Sequence, residues 1–315
     1  MEYSGVAKNW PSQRSEFKRF AEYSARFGEK VRNDLANYAS TGEVVSNADS
    51  PNFPKWQSTY LYLALEMRAL ELNQRGQIEA VQNVSASPLL GLSFAYARVS
   101  KIIELQIHED FPRRFPGRKL QAFSMQQMAC WVATGFSVGC GEAEQLGRLA
   151  LNAVRREFCF DLEFYPIFHF VLLMFASSQG IRVDQMPSAA TREPPLTSLL
   201  EEWRNPDVDV LAPLVRAVCD FHTHRWKART KDWNEFGSGV GSNFIRMPIE
   251  ILLLYRLRER EGLRNPEVDH PLMNSPIGKL CRPLRCEPDN LLRQVLDRAM
   301  SQGFDENAII QRMLS

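Results

Sequence analysis

The sequence predicts an all-α protein, a bundle of roughly ten helices with little or no sheet. Three observations carry that expectation. Apolar residues recur at spacings of three and four over long stretches, which places them on one face of a helix. No stretch alternates strictly between apolar and polar residues between hairpin turns. Proline, glycine and Ser or Asp caps punctuate the chain at helical intervals. With 315 residues, 44% hydrophobic and 24% charged, the composition is that of a globular chain.

Taken in order, residues 12–38 carry Phe17, Phe20, Ala21, Phe27, Val31 and Leu35 on one face, the first amphipathic helix. A polar loop is expected at 41–54, rich in Ser, Asn, Asp and Pro. Helical spacing resumes over 56–72 through Tyr60, Leu63, Leu65, Met67 and Leu70, with Gly76 at or just past its end. Ser87-Pro88 has the form of a cap followed by proline in the first turn, opening a helix expected to stop before Pro112. The basic group Arg113, Arg114, Arg118 and Lys119, broken by prolines and Gly117, is a solvated loop. It marks the boundary between regions 1–112 and 119–315, which are expected to pack as one unit.

Beyond it, 120–138 and 142–158 read as helices split by Gly139-Cys140-Gly141, and 163–178 as a buried helix. The apolar run at 164–176 is too short to cross a bilayer. A loop at 182–195 precedes a short helix at 196–203 and a longer one at 208–231. The Gly-rich stretch 232–243 leads to the most informative segment, 245–280. There Pro248 opens a helix whose band of Ile249, Ile251, Leu252, Leu253, Leu254 and Leu257 is broad enough for a buried helix, with Glu250 inside it. Gly262 ends that helix, and Asn265-Pro266-Glu267-Val268-Asp269-His270-Pro271 forms a fixed turn. Two short helices, 290–300 and 306–314, close the chain.

The 38 basic and 37 acidic residues give no global drive toward nucleic acid or an anionic membrane, so partners are expected to meet local patches. Residues 1–9 lack the pattern of a secretory signal, and the six cysteines show no short-spaced metal-binding pair. A cytoplasmic location is the resulting expectation. Cys130, Cys140, Cys159 and Cys219 read as small core residues. Cys281 and Cys286 are near enough in sequence to pair, which a reducing compartment disfavours.

Chemistry is sought first at Asp220, His222 and His224, a ligand set for a metal-dependent hydrolase. Residues two apart on a helix point to different sides, however, and hydrogen bonding by the two histidines is the preferred reading. Asp269-His270 resembles half of a catalytic pair but lies in a turn suited to bonding its own backbone. Glu250 needs a partner for its buried charge, for which Arg246 or Arg216 is expected. Gly237-Ser238-Gly239-Val240-Gly241 lacks the Lys-Ser/Thr of a phosphate loop. No catalytic, metal or cofactor site is assigned. Glu193, Glu201, Glu202, Asp207 and Asp209 form a local acidic excess suited to a basic partner.

The order Cys219-Asp220-x-His222, Glu235-Phe236, Arg246-Met247-Pro248-Ile249-Glu250, then Asp269-His270-Pro271 resembles the helical immunity proteins that protect against the PoNe type of DNase delivered by type VI secretion. The likeness covers residues 141–280. Met247-Pro248 and Leu272-Met273 stand where that family commonly has aromatics. The resemblance implies an immunity protein, not an enzyme, that neutralises a cognate toxin encoded next to it, without cofactor, direct nucleic-acid binding or membrane contact. Asp220, His222, Arg246, Glu250, Asp269 and His270 are its structural motif. Glu267 and Asp269 join the acidic stretch as candidate toxin contacts.

Overall fold

The computed structural model describes residues 3–44, 54–83, 85–114, 124–158, 165–181, 192–226, 235–236 and 240–315. Among these there are twelve α-helices and no strand. The helices are α1 (Gln13–Thr41), α2 (Thr59–Asn83), α3 (Pro88–Arg114), α4 (Met125–Ser137), α5 (Glu142–Arg155), α6 (Pro166–Ser178), α7 (Pro194–Glu202), α8 (Val208–His224), α9 (Ile249–Arg260), α10 (Pro271–Asn274), α11 (Asn290–Ser301) and α12 (Glu306–Leu314). The all-α expectation holds.

Caps set the ends of α1. The Ser12 hydroxyl accepts from the Ser15 amide, and Gly42, at φ +76°, donates to the Tyr38 carbonyl, a left-handed stop that glycine adopts without strain. Two ends differ from the sequence reading. Helix α2 runs through Gly76 to Asn83, because packing overrides glycine's weak helix propensity: a Cβ on Gly76 would lie 2.8 Å from Leu90 Cδ2, so glycine lets α2 and α3 approach closely. Helix α3 continues past Pro112 to Arg114; the proline forfeits only its own bond to the carbonyl four residues back, and the helix ends two residues later. Helix α8 ends at His224, and the expected continuation to 231 lies outside the described residues beyond Trp226. The same is true of residues 120–123 and of Gly237–Gly239.

Helix α2 packs on α3, with α1 alongside, while α4 packs against α5, α6 and α9; α11 returns to α1, and α12 lies on α3 and α5. A single apolar cluster therefore runs from Val31 to Met313, across both regions. Helix α4 is its axis, with Met128–Cys130 and Trp131–Ala133 fully shielded from solvent. Charge is buried within it as well. The Lys101 ammonium is 0% exposed and lies 2.8 Å from both Glu66 Oε1 and Glu104 Oε2, and it donates to Gln127 Oε1 at 2.7 Å. The Trp131 indole donates to Glu66. Burial disfavours the ammonium charge, but Glu104 and Glu66 outweigh it and hold the pKa above the ordinary lysine value. A polar network of this kind ties α2, α3 and α4 in one register.

The turn between α4 and α5 carries a correction. Cys140 is bonded to Cys286, 146 residues away, with Cα atoms 6.1 Å apart. Cys140 is thus not the small core thiol the sequence suggests, and Cys281, whose pairing with Cys286 the sequence reading disfavours, turns its thiol toward the Ser137 carbonyl. No helix among the described residues is long and apolar enough to cross a membrane.

Candidate functional site: a buried histidine–carboxylate cluster

The segments singled out in the sequence meet where the C-terminal half of α8 faces the start of α9. Asp207 caps α8, accepting from the Asp209 amide at 2.9 Å. Over the last two turns of α8, Cys219 and His222 share one side and Asp220 and Thr223 another, as their three-residue spacing dictates. Helix α9 enters from Pro248 and is buried from Ile249 to Arg258, so Glu250 in its first turn has nowhere to point but inward.

The partner of Glu250 is His222. Nδ1 of the ring lies 2.7 Å from Glu250 Oε1, and both side chains are 0% exposed. Nε2 of the same ring is 3.2 Å from the Ile245 carbonyl, and the Phe236 ring covers its face at a centroid distance of 4.3 Å. The expected pairing of Glu250 with Arg246 or Arg216 is thus overturned. Histidine serves because its planar ring can reach a carboxylate and a carbonyl at once from within a closely packed core. Glu250 Oε2 has no hydrogen-bond partner among the described residues.

Asp220 faces the other way. Its Oδ2 accepts from the Gly5 amide at 3.0 Å, and its Oδ1 lies 3.2 Å from Nε2 of His270. That contact is a close approach rather than an aligned hydrogen bond, since the Nε2 satisfies no hydrogen-bond geometry. Nδ1 of His270 accepts from the Leu272 amide at 3.1 Å, capping α10. Burial lowers the His270 pKa, and His222 and Arg216 add to that against the upward pull of Asp220. The turn expected from Asn265 to Pro271 therefore acts as a clasp: Tyr255 donates to the Pro266 carbonyl and Asn265 to the Tyr255 carbonyl.

Glu235 forms a third carboxylate centre next to the pair. Its Oε2 accepts from Arg225 Nε at 2.6 Å, its Oε1 from the Ile167 amide at the start of α6, and its carbonyl from Gln126 of α4. Complete burial raises its pKa, with Arg225 pulling in the opposite direction.

A strap of residues 3–11 crosses this cluster. Ala7 donates to Thr223 Oγ1, the Gly5 carbonyl lies 3.1 Å from His224 Nε2, and the Tyr3 ring meets Phe221 edge-on. The Trp10 indole donates to the Ile245 carbonyl, and Arg246 stacks over Trp10 at 3.6 Å while donating to Pro11. Burial brings the Arg246 pKa down to about 10, against the influence of Glu16. The strap has no helical periodicity, so sequence reading offered no sign of it. Tyr3 and Trp10, two aromatics in a polar stretch, were the available hint.

The histidines diverge. His222 turns inward to Glu250 and Ile245, and His224 outward to Gly5, so the two imidazoles and Asp220 do not converge on one point. Among the described residues no group of three or more His, Cys, Asp or Glu side chains is arranged to hold a metal ion. Burial, with Glu250 and Asp220 nearby, pushes the Cys219 thiol pKa well up and keeps it uncharged. The acidic residues behave differently. Glu201, Glu202, Asp207, Asp209, Glu267 and Asp269 are exposed, whereas Glu193 is half-buried at the start of α7. Arg204, between the two acidic pairs, is drawn away to Glu261 and the Ser177 carbonyl. Asp269 accepts from Asn274.

Comparison with known proteins finds no matching family, no similar curated protein and no similar solved structure.

Proposed function

We propose that the chain is an immunity protein that binds a cognate secreted antibacterial toxin, of the nuclease class delivered by type VI secretion, and neutralises it. One observation carries the reading. Separated pieces of the resemblance meet in the fold: His222 touches both Glu250 and Phe236, and Asp220, on another side of α8, touches His270. The cluster gives the binding surface a rigid support, and recognition then falls to exposed charge. Glu201, Glu202, Asp207 and Asp209 stand outward around the α7–α8 turn with their nearest arginine engaged elsewhere, an arrangement complementary to the basic cleft of a nuclease.

The test is co-expression with the toxin gene adjacent to this one. The expected result is a complex that survives purification and cells that survive the toxin, with Glu201→Lys/Asp209→Lys weakening both. Failure to bind any neighbouring toxin, with the chain folded, overturns the proposal.

A further inference from the structure

A second feature lies on the opposite half of the chain. Helices α1 and α2 pack side by side, and between them opens a pocket of about 340 Å³, within the size range of small-ligand sites. Its walls follow from helical spacing. Ser24, Gly28 and Arg32 stand four apart along α1, while Arg68, Glu71 and Arg75 stand three and four apart along α2, so each set faces the other. Gly28 leaves the middle open. A Cβ there would make ordinary contacts with Glu71 Cγ and Ser24 Oγ, both at 3.5 Å, and with Glu71 Oε1 at 3.6 Å, so packing does not demand the glycine and its effect is to provide room.

The charges in the pocket are unbalanced. Glu71 is buried and internally committed: it pairs with Arg68 and with Arg75, 3.3 Å away, and accepts from the Ser24 hydroxyl at 3.1 Å. Arg68 is more than nine-tenths buried, and its Nε has no hydrogen-bond partner among the described residues. Arg75 is 46% exposed along its side chain. Arg32, exposed at the mouth, has neither an ion pair nor a hydrogen bond among the described residues. One carboxylate thus serves two guanidinium groups while a third guanidinium waits beside them, with the Asn33 amide as a neutral donor.

We propose that this pocket binds a phosphate group, carried by a small phosphomonoester or as the free ion. Planar guanidinium groups donate in pairs to phosphate oxygens, and Arg32 and Arg75 are free enough to turn onto one. Glu29, also in the lining, opposes the dianion and sets a limit on affinity.

Calorimetric titration of the full chain at low salt, with inorganic phosphate and with ribose 5-phosphate, tests the inference. Saturable binding is expected, weakened at least about tenfold by Arg32→Glu, a surface change that leaves the melting temperature in place. Glu29→Gln should tighten binding, because it removes a like charge. Arg68→Gln should abolish it, but risks unfolding the chain, so Arg32→Glu is the deciding variant. Tighter binding of the ester identifies a phosphorylated metabolite as the ligand; equal binding identifies the free ion. Absence of saturable binding by either, or binding indifferent to Arg32→Glu and Arg75→Glu, overturns the proposal.

Discussion

Replacing Glu250 by methionine should cost the protein several kilocalories, and replacing His222 as well should return most of them. The single change leaves His222 Nδ1 without its acceptor in a site that is 0% exposed. Breaking one side of a buried pair costs about 3–5 kcal/mol, a large part of the roughly 5–15 kcal/mol that holds a typical domain folded. At the usual unfolding entropy per residue, a chain of this length should lose roughly 5–8 °C in Tm. In the double variant Glu250→Met/His222→Phe no polar atom is stranded. The Ile245 carbonyl, which His222 also faces, still accepts from the Trp10 indole at 3.1 Å, and Phe236 already offers a ring face to position 222. The double variant should therefore lie within about 1–2 kcal/mol of the parent. Urea unfolding of the four proteins at pH 7, followed by circular dichroism, gives the coupling directly. A Glu250→Met protein as stable as the parent, or losses that simply add, would refute the buried-pair argument. Under the proposed immunity function, a folded Glu250→Met chain that fails to neutralise the toxin would instead place the cluster at the interface.

Other consequences are open to measurement. His108 and His169 are held at a pKa of about 4 by burial, against an ordinary 6.5. Below pH 6.5 the unfolded chain takes up protons that the folded one refuses, so stability should be flat above that pH and fall between 6.5 and 4 by up to about 3 kcal/mol per histidine. His169→Phe should flatten that fall in urea midpoints taken at pH 7 and 5. Reducing the Cys140–Cys286 disulfide frees a loop of 146 residues, which chain entropy values at up to about 5 kcal/mol; melting with and without reductant measures it, and Cys286→Ser should remove the difference. Arg258, fully buried, donates to the carbonyls of Trp203, Asn205 and Arg264. Arg258→Met should cost roughly 3 kcal/mol or more and raise hydrogen exchange in residues 203–205 first.

Much of the architecture was legible in the sequence because helical periodicity is a local signal. Helices α1, α9, α11 and α12 begin within a residue or two of where capping residues and proline place them. The misread ends have separate causes: contact with α3, which the sequence does not display, carries α2 through Gly76, whereas Pro112 is exposed in the last turn of α3 and forfeits only its own hydrogen bond there. The cluster was half legible. Asp220, His222, Glu250 and His270 stood out as polar residues in apolar surroundings, but reading Glu250 against an arginine overlooked that a histidine two residues from the end of α8 would face it. The Cys140–Cys286 bond was hidden by its span, and the α1–α2 pocket because its residues look like an ordinary solvated helix face until the two helices are set side by side.

The strap at residues 3–11 has a bearing on how the chain is made. Gly5 and Ala7 find their partners 215 and 216 positions later, and Trp10 reaches across 235. On a ribosome residues 3–11 emerge well ahead of Asp220, Thr223 and Ile245, which are synthesised more than 200 positions later. Loop closure over such distances is slow relative to the pairing of neighbouring helices. Residues 3–11 thus settle only once residues 220–245 have been made, and the cluster stays uncovered until then.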